Sequence, residues 1–403
     1  MRKESTMQLD FHYYAAYCAS IIAGYTHEES LAIAYSDQFV DCCSKTLLTK
    51  LKGPKSAATT QLTLEMANAS DDILTKQDIT RIWASFHFLP RDLYARVGRG
   101  NKNYKNKFRL ICGPNGALLK ETVNLVCGKS LQAVGMAMHI LSDTWAHSYF
   151  AGTPSLVINN TNYYFYEILP DGSEREISFK HNPGEPDDPE KGIYINSLYQ
   201  PYENSVMNLG HGRCGHLPDY SYAVYKYLPA WGDYDEIVKN NMEDYYKAFC
   251  QMVYALKTLK DGKNTFEVDN YDYDAVKPYE DTIKAILSKR QLIASDDWKA
   301  FGEKLSGREI EDFDVEKYQD EYLNSKDKDS TFLGAFFVAA LAQKSMVTAN
   351  IFKSGNILAG LSVDYSSDGK FRGIKDFKVL ADYISNFNER DNDEPVSEDK
   401  KDT

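Results

Sequence analysis

Most of the chain repeats apolar residues at helical spacing, and the departures from that spacing are few enough to place. From His12 to about Gly24 the pattern is helical and rich in Ala and Tyr. Thr26 followed by Glu29 then forms a capping box, which predicts a second helix through about Leu48. Residues 50–72 read as a loop with one short helical turn, and the apolar run Ile82–Leu89 is stopped by Pro90. A basic loop over 96–109 precedes helices of roughly 117–128 and 130–150, the second closed by Gly152. Residues 155–168 change character. They are rich in β-branched and aromatic side chains, and Pro170-Asp171-Gly172 turns them into Arg175–Phe179, which predicts a β-hairpin inserted over about 155–182. Beyond it the pattern predicts an aromatic helix from Tyr220 to about Leu228, and helices near 234–260, 277–290, 295–305, 331–353 and 376–387. Residues 388–403 read as an acidic, disordered tail. The expected fold is mainly α: a helical domain over 1–260 carrying the hairpin, with a helical C-terminal extension over 261–387 packed on it.

The length of 403 residues allows one large or two medium domains. A net charge of -12 disfavours nucleic-acid binding through a global positive field, while leaving room for a local metal cluster that holds a phosphate. The first ten residues lack the apolar core and small-residue cleavage site of a secretory signal, so the expectation is a cytoplasmic protein. The seven cysteines show no C-x-x-C spacing and no disulfide framework, which predicts reduced, mostly buried thiols. The longest apolar run, Phe332–Ala342, is about half the ~20 residues that span a bilayer, and is expected as a buried helix without stable membrane insertion.

The chemistry concentrates in one helix. His139, Asp143 and His147 stand at successive four-residue steps, and each step turns the side chain only about 40° around the axis, so all three share one face. Other segments repeat the theme with few histidines to spend. Asp10 and His12 precede the first helix, Asp37 and Asp41 share a face of the second, His87 lies among aromatics, and His211 and His216 precede Asp219. Imidazole with carboxylate is the ligand mix of zinc sites that retain a water, whereas structural zinc more often uses thiolates. The bland alternative holds for isolated members: a lone histidine among Phe86 and Phe88 is ordinarily a hydrogen-bonded core residue. His27 and His181 read as surface residues. The acidic run Asp269–Asp274 has tyrosines where a calcium loop needs ligands, and Asp274 where it needs glycine. No P-loop, G-x-S-x-G elbow, H-E-x-x-H or adjacent His-Asp pair occurs.

The order His12, Asp41, His87, His139-x-x-x-Asp143, His147, then His216 with Asp219, resembles the zinc-dependent phospholipase C superfamily, which includes the fungal single-strand nucleases. Met7–Tyr14, Gln38–Asp41 and His139–His147 are most similar to an uncharacterised bacterial branch of it, with coverage of roughly residues 7–230. The resemblance implies a multi-helix phospholipase C/nuclease-like bundle with two or three zinc ions. It implies Asp143 as a bridge, His139, His87 and Asp41 on one side, and His147, His216 and Asp219 on the other, with Asp41 alternatively acting as a base beside the metals. The secreted relatives use a terminal tryptophan as ligand, for which Asp10 is the candidate substitute here. His216 and Asp219 stand three apart rather than four, and His211 is a competing ligand.

These expectations define a metal-dependent phosphodiester hydrolase using a metal-bound hydroxide, with Asp41 and Asp143 central to catalysis. A phospholipid headgroup or single-stranded nucleic acid is its substrate class. The competing reading is a non-catalytic metalloprotein with one structural zinc, whose C-terminal helices bind a protein partner.

Overall fold

The computed structural model of the chain describes residues 9–62, 73–91, 93, 110–152, 161–180, 185–196, 210–232 and 235–354. A π-helical stretch, Asp10–Ala15, runs directly into α1 (Ala16–Ile22). Both reciprocal bonds of the capping box then start α2 (His27–Phe39): Glu29 N donates to Thr26 Oγ1 at 3.2 Å, and Thr26 N donates to Glu29 Oε2 at 2.8 Å. This helix stops at Phe39 instead of running to about Leu48. The chain turns through Asp41–Cys43, and Ser44 caps a separate α3 (Lys45–Lys50) by accepting from Leu47 N. Next come α4 (Ile73–Phe86), α5 (Ala117–Leu125) and α6 (Leu131–Ala146). Gly152, read as a helix terminator, instead lies where a Cβ would meet Ala84 N at 2.8 Å, so it serves close packing.

Helices α2 and α6 pack closely against each other. A Cβ on Gly135 of α6 would stand 2.2 Å from Ile33 O and 3.0 Å from Asp37 N, so only glycine permits that approach.

The expected hairpin forms, with β1 (Thr161–Ile168) paired to β2 (Glu174–Glu176) in the register Tyr166 to Glu176. The β structure goes further than one hairpin. A short parallel pair, β3 (Ser178–Lys180) and β4 (Ile193–Ile195), follows. After α7 (His211–Cys214), β5 (Val224–Pro229) and β6 (Ile237–Asn240) complete a four-stranded antiparallel sheet of order β2-β1-β5-β6. The aromatic helix expected over Tyr220–Leu228 is therefore a strand. Tyr225 and Tyr227 repeat at a period of two, not 3.6, and both are fully buried; Tyr227 stacks between Phe150 and Phe165. For the same reason α8 (Asn241–Lys260) begins at Asn241, with Asn240 as its cap, rather than near 234.

The C-terminal segment supplies α9 (Glu280–Ser288), α10 (Ser295–Ser306) and α11 (Phe332–Lys353). One hydrophobic core joins these to the N-terminal helices: Phe11 meets Trp298 edge-on at 6.1 Å, and Phe39 meets Phe336 at 4.9 Å. A second, smaller core lies under the sheet. Within α11, Phe332–Ile351 is long and apolar enough to cross a membrane by length and composition. Its Leu333, Phe336, Ala340 and Val347 are buried in the core, while Val338 faces outward. All seven cysteines are unpaired and five are buried. The loop 96–109, His181, the helix read over 376–387 and the tail 388–403 lie outside the described residues.

Candidate metal centre

Helix α6 presents His139 and Asp143 on its buried face, and His147 falls at its C-cap, where the chain is leaving the helix. Around Asp143 the tertiary fold gathers side chains from α2, the turn after it, and the end of α4. His87 Nδ1 and His139 Nε2 each lie 3.2 Å from Asp143 Oδ2. The same two nitrogens lie 3.3 Å from each other and 3.8 Å from Asp41 Oδ1. A tetrahedral ion with bonds of about 2.0–2.1 Å needs donor-to-donor separations of about 3.3–3.4 Å. Asp41, His87 and His139 therefore form one donor group near the spacing an ion needs, and Asp143 borders it as a member of a second group with His12 and His139.

The tautomers agree with that reading. His87 Nε2 donates to Thr59 O at 3.0 Å, which leaves Nδ1 with the lone pair that faces Asp143. His147 Nδ1 donates to His87 O at 2.8 Å, leaving Nε2 directed to Asp219 Oδ1 at 3.5 Å.

His12 approaches the same carboxylate from the other side, with Nε2 3.3 Å from Asp143 Oδ1, an oxygen that is fully buried and has no hydrogen-bond partner among the described residues. Asp143 thus turns one oxygen to His12 and the other to His87 and His139. Asp10 lies near enough to His12 and Asp219 to feel their charges, but its carboxylate accepts from Phe11 N at 2.9 Å and Ala294 N at 3.0 Å, so it ties the first helix to the C-terminal segment and joins no donor group among the described residues.

A second set lies at the sheet end of the helix. His147, His211 and Asp219 offer ligand atoms within 4.8 Å of one another. His211 Nε2 is 3.1 Å from Asp219 Oδ1. His216 is turned to the opposite oxygen, with Nδ1 3.1 Å from Oδ2, and its side chain is 35% exposed. Of the two competing histidines, His211 is the one that shares a donor group with His147.

The electrostatics describe a charged, water-poor knot. Burial alone would lower the pKa of His12, but Asp37 and Asp143 outweigh it and hold it well above the usual range. His139, depressed by burial and by His12, is pushed up to about 9 by Asp143 and Asp41. His147 is raised in the same way by Asp143 and Asp219. His211 moves down because burial wins there. Burial would raise Asp143 and Asp219, yet their surrounding histidines hold both well below the usual carboxylate range. Perturbed groups concentrated in one place are characteristic of functional sites.

A family model described as a family of unknown function (DUF6765) matches residues 7–351. The chain belongs to that family. No curated protein and no solved structure matches it. Every donor named above lies within the matched span, so the centre belongs to the family region rather than to the C-terminal tail.

Sequence reasoning paired Asp37 with Asp41 on one helix face without naming Asp37 as a site residue. In the structure it is fully buried with Oδ1 2.8 Å from His12 Nδ1, and the four-residue spacing was the only signal available. Of the aromatics near the ligands, Tyr13, Tyr14 and Trp145 hydrogen-bond to Glu311, Asp312 and Gln251 and serve packing. Tyr149 alone is exposed. It adopts φ +75° and stacks on Trp231, whose Nε1 donates to the Tyr149 carbonyl at 2.8 Å. His27, read as a surface residue, is half-buried and pairs with the Tyr17 hydroxyl at 2.7 Å.

Proposed function

We propose that the chain is a metal-dependent phosphodiester hydrolase of the phospholipase C or single-strand nuclease type. The observation that carries this reading is the set of five donor separations, 3.2 to 3.8 Å, among Asp41, His87, His139 and Asp143, with an orphaned buried oxygen on Asp143 facing His12. Asp41, His87 and His139 would hold one zinc-like ion and His147, His211 and Asp219 another, with His12, His139 and Asp143 offering a third donor group between them. Such ions supply Lewis acidity, lowering the pKa of water to about 7 and offsetting negative charge on phosphoryl oxygens.

The chain's own groups do the rest. The carbonyls of Thr59 and His87 hold two imidazoles in the tautomer that points a lone pair inward. Burial of His139 and Asp143 keeps bulk water from competing for them. Asp41, with a side chain 22% exposed and an amide contact from Gln38 at 3.3 Å, stands at the open edge, where it can accept a proton from an entering nucleophile. A single phosphodiester, as in a phospholipid headgroup or a single-stranded nucleic acid, is the substrate class that suits a local metal charge in a chain of net charge -12.

One observation favours a second reading, a structural metal centre without catalysis: the His12, His139 and Asp143 group is closed to solvent. Metal stoichiometry separates the two. Elemental analysis of the purified protein is expected to find two or more zinc-class ions. Asp143→Asn should lose metal together with at least ~10³-fold of any activity on generic phosphodiesters, phosphatidylcholine vesicles or single-stranded DNA. A metal-free parent, or a mutant that keeps its full complement, overturns the hydrolase reading; one closed site without activity favours the structural one.

A further inference from the structure

The geometry points to Asp37 as a positioning residue that sets the tautomer of two metal-side histidines at once, an inference that rests on the metal-centre reading above. His12 and His139 lie face to face, with ring centroids 4.0 Å apart and planes 25° from parallel. Their Nδ1 atoms converge on one oxygen: Asp37 Oδ1 is 2.8 Å from His12 Nδ1 and 3.3 Å from His139 Nδ1. Their Nε2 atoms converge on the other carboxylate, His12 at 3.3 Å from Asp143 Oδ1 and His139 at 3.2 Å from Asp143 Oδ2. Two stacked imidazoles thus bridge two buried aspartates in parallel.

A neutral imidazole carries one N–H, and the nitrogen that donates cannot ligate. Asp37 captures the Nδ1 proton of His12 in a hydrogen bond, and the same oxygen lies 3.3 Å from His139 Nδ1, which has no hydrogen bond of its own among the described residues. Its Oδ2 is likewise buried and unpartnered, and a carboxylate has acceptor sites enough for both rings. Both Nε2 lone pairs are then left on the Asp143 side. Two further histidines of the centre, His87 and His147, are locked differently, by the carbonyls of Thr59 and His87, which no side-chain substitution removes. Asp37 is held against His139 by the close approach of α2 and α6 at Gly135. The consequence is selective: Asp37 governs the groups containing His12 and His139, and leaves His147, His211 and Asp219 untouched.

The test uses the full chain and zinc as the probe. Competition against a chromophoric chelator should show Asp37→Ala weakening the ions at the His12 and His139 positions by about 10–100-fold, the usual cost of losing an outer carboxylate, while the remaining ion changes less than about twofold. Asp37→Asn keeps the volume and one acceptor, so it should fold normally and give a smaller loss. Long-range ¹H–¹⁵N spectra of the imidazoles provide a readout that simple packing would not move: Nδ1–H on His12 and His139 in the parent, mixed tautomers in both variants. A parent that binds no zinc overturns the metal reading itself. A zinc-loaded parent whose affinities and tautomers are unchanged in both variants overturns the role of Asp37 alone.

Discussion

The two ends of the candidate centre are built by opposite strategies. The half around Asp41, His87, His139 and Asp143 takes two donors from α6 and one each from the turns that directly follow α2 and α4, inside the main core. The half around His147, His211 and Asp219 hangs on a helix C-cap, a four-residue helix and a 3-10 turn beside the sheet. Long packed helices fix one donor pair directly and hold the turns at their ends close to it, so the first half brings its donors within 3.2–3.8 Å. Short turns deliver donors only where distant contacts hold them, and there the choice between His211 and His216 stays outside the reach of local pattern. The first half owes its geometry to helix packing, the second to individual anchors.

Lys239 is the strongest such anchor and gives the largest expected effect. Its ammonium, 1% exposed, donates to Trp145 O at 2.8 Å, Ser148 Oγ at 2.7 Å and Asp244 Oδ2 at 2.6 Å, pinning β6 to the segment that carries His147. Lys239→Met should cost about 3 kcal/mol in denaturant unfolding, because it strands a charge partner and two polar groups. Zinc titration should show the loss falling on the His147 ion. Equal loss at both ends would mean the halves are not independent.

Metal removal probes both halves together. Chelation should lower stability by about 2.7 kcal/mol where free zinc stood at about a hundred times its dissociation constant. The size of this drop depends on pH with a definite sign. In the metal-free chain His12, His139 and His147 have raised pKa values, so their support is complete below the unfolded histidine value of about 6.5 and is lost as pH rises through the folded value, about 9 for His139. Asp143 and Asp219 are depressed, so theirs is complete above about 3.9 and lost only as pH falls further. The chelated protein should therefore be most stable between about pH 4 and 6.5 and weaken toward 9. Zinc needs deprotonated imidazoles, so the gap between loaded and chelated melting curves should widen over that interval. A constant gap would show that these histidines do not face the metal.

Gly135→Ala attacks the helical half. The added methyl meets Ile33 O and must part α2 from α6, at a cost of about 2 kcal/mol, and zinc should be lost first from the group containing His139. The smallest effect sharpens the sheet end. His211→Ala should weaken its ion about 100-fold, whereas His216→Ala, which removes a half-exposed partner of Asp219, should weaken it about tenfold or less. The reverse ranking would exchange the roles of the two histidines.

Much of this was legible in the linear chain. His139, Asp143 and His147 lie four apart, and a helix converts that spacing into one shared face before any tertiary contact exists. The capping box at Thr26 and the turn at Pro170-Asp171-Gly172 are local as well, and both form. Where neighbouring residues disagree, local pattern fails. The tyrosines of 220–228 suit a helix or a strand by composition, and pairing with β1 decides for the strand. Asp10, plausible as a ligand, is drawn instead to the backbone of Ala294, 284 residues away. Asp37 becomes part of the centre only because Gly135 lets two helices touch. Residue type and helical period were settled within a few turns of chain. Which oxygen meets which nitrogen, and which tautomer each imidazole holds, depends on contacts between segments far apart in sequence, and only folding brings those into range.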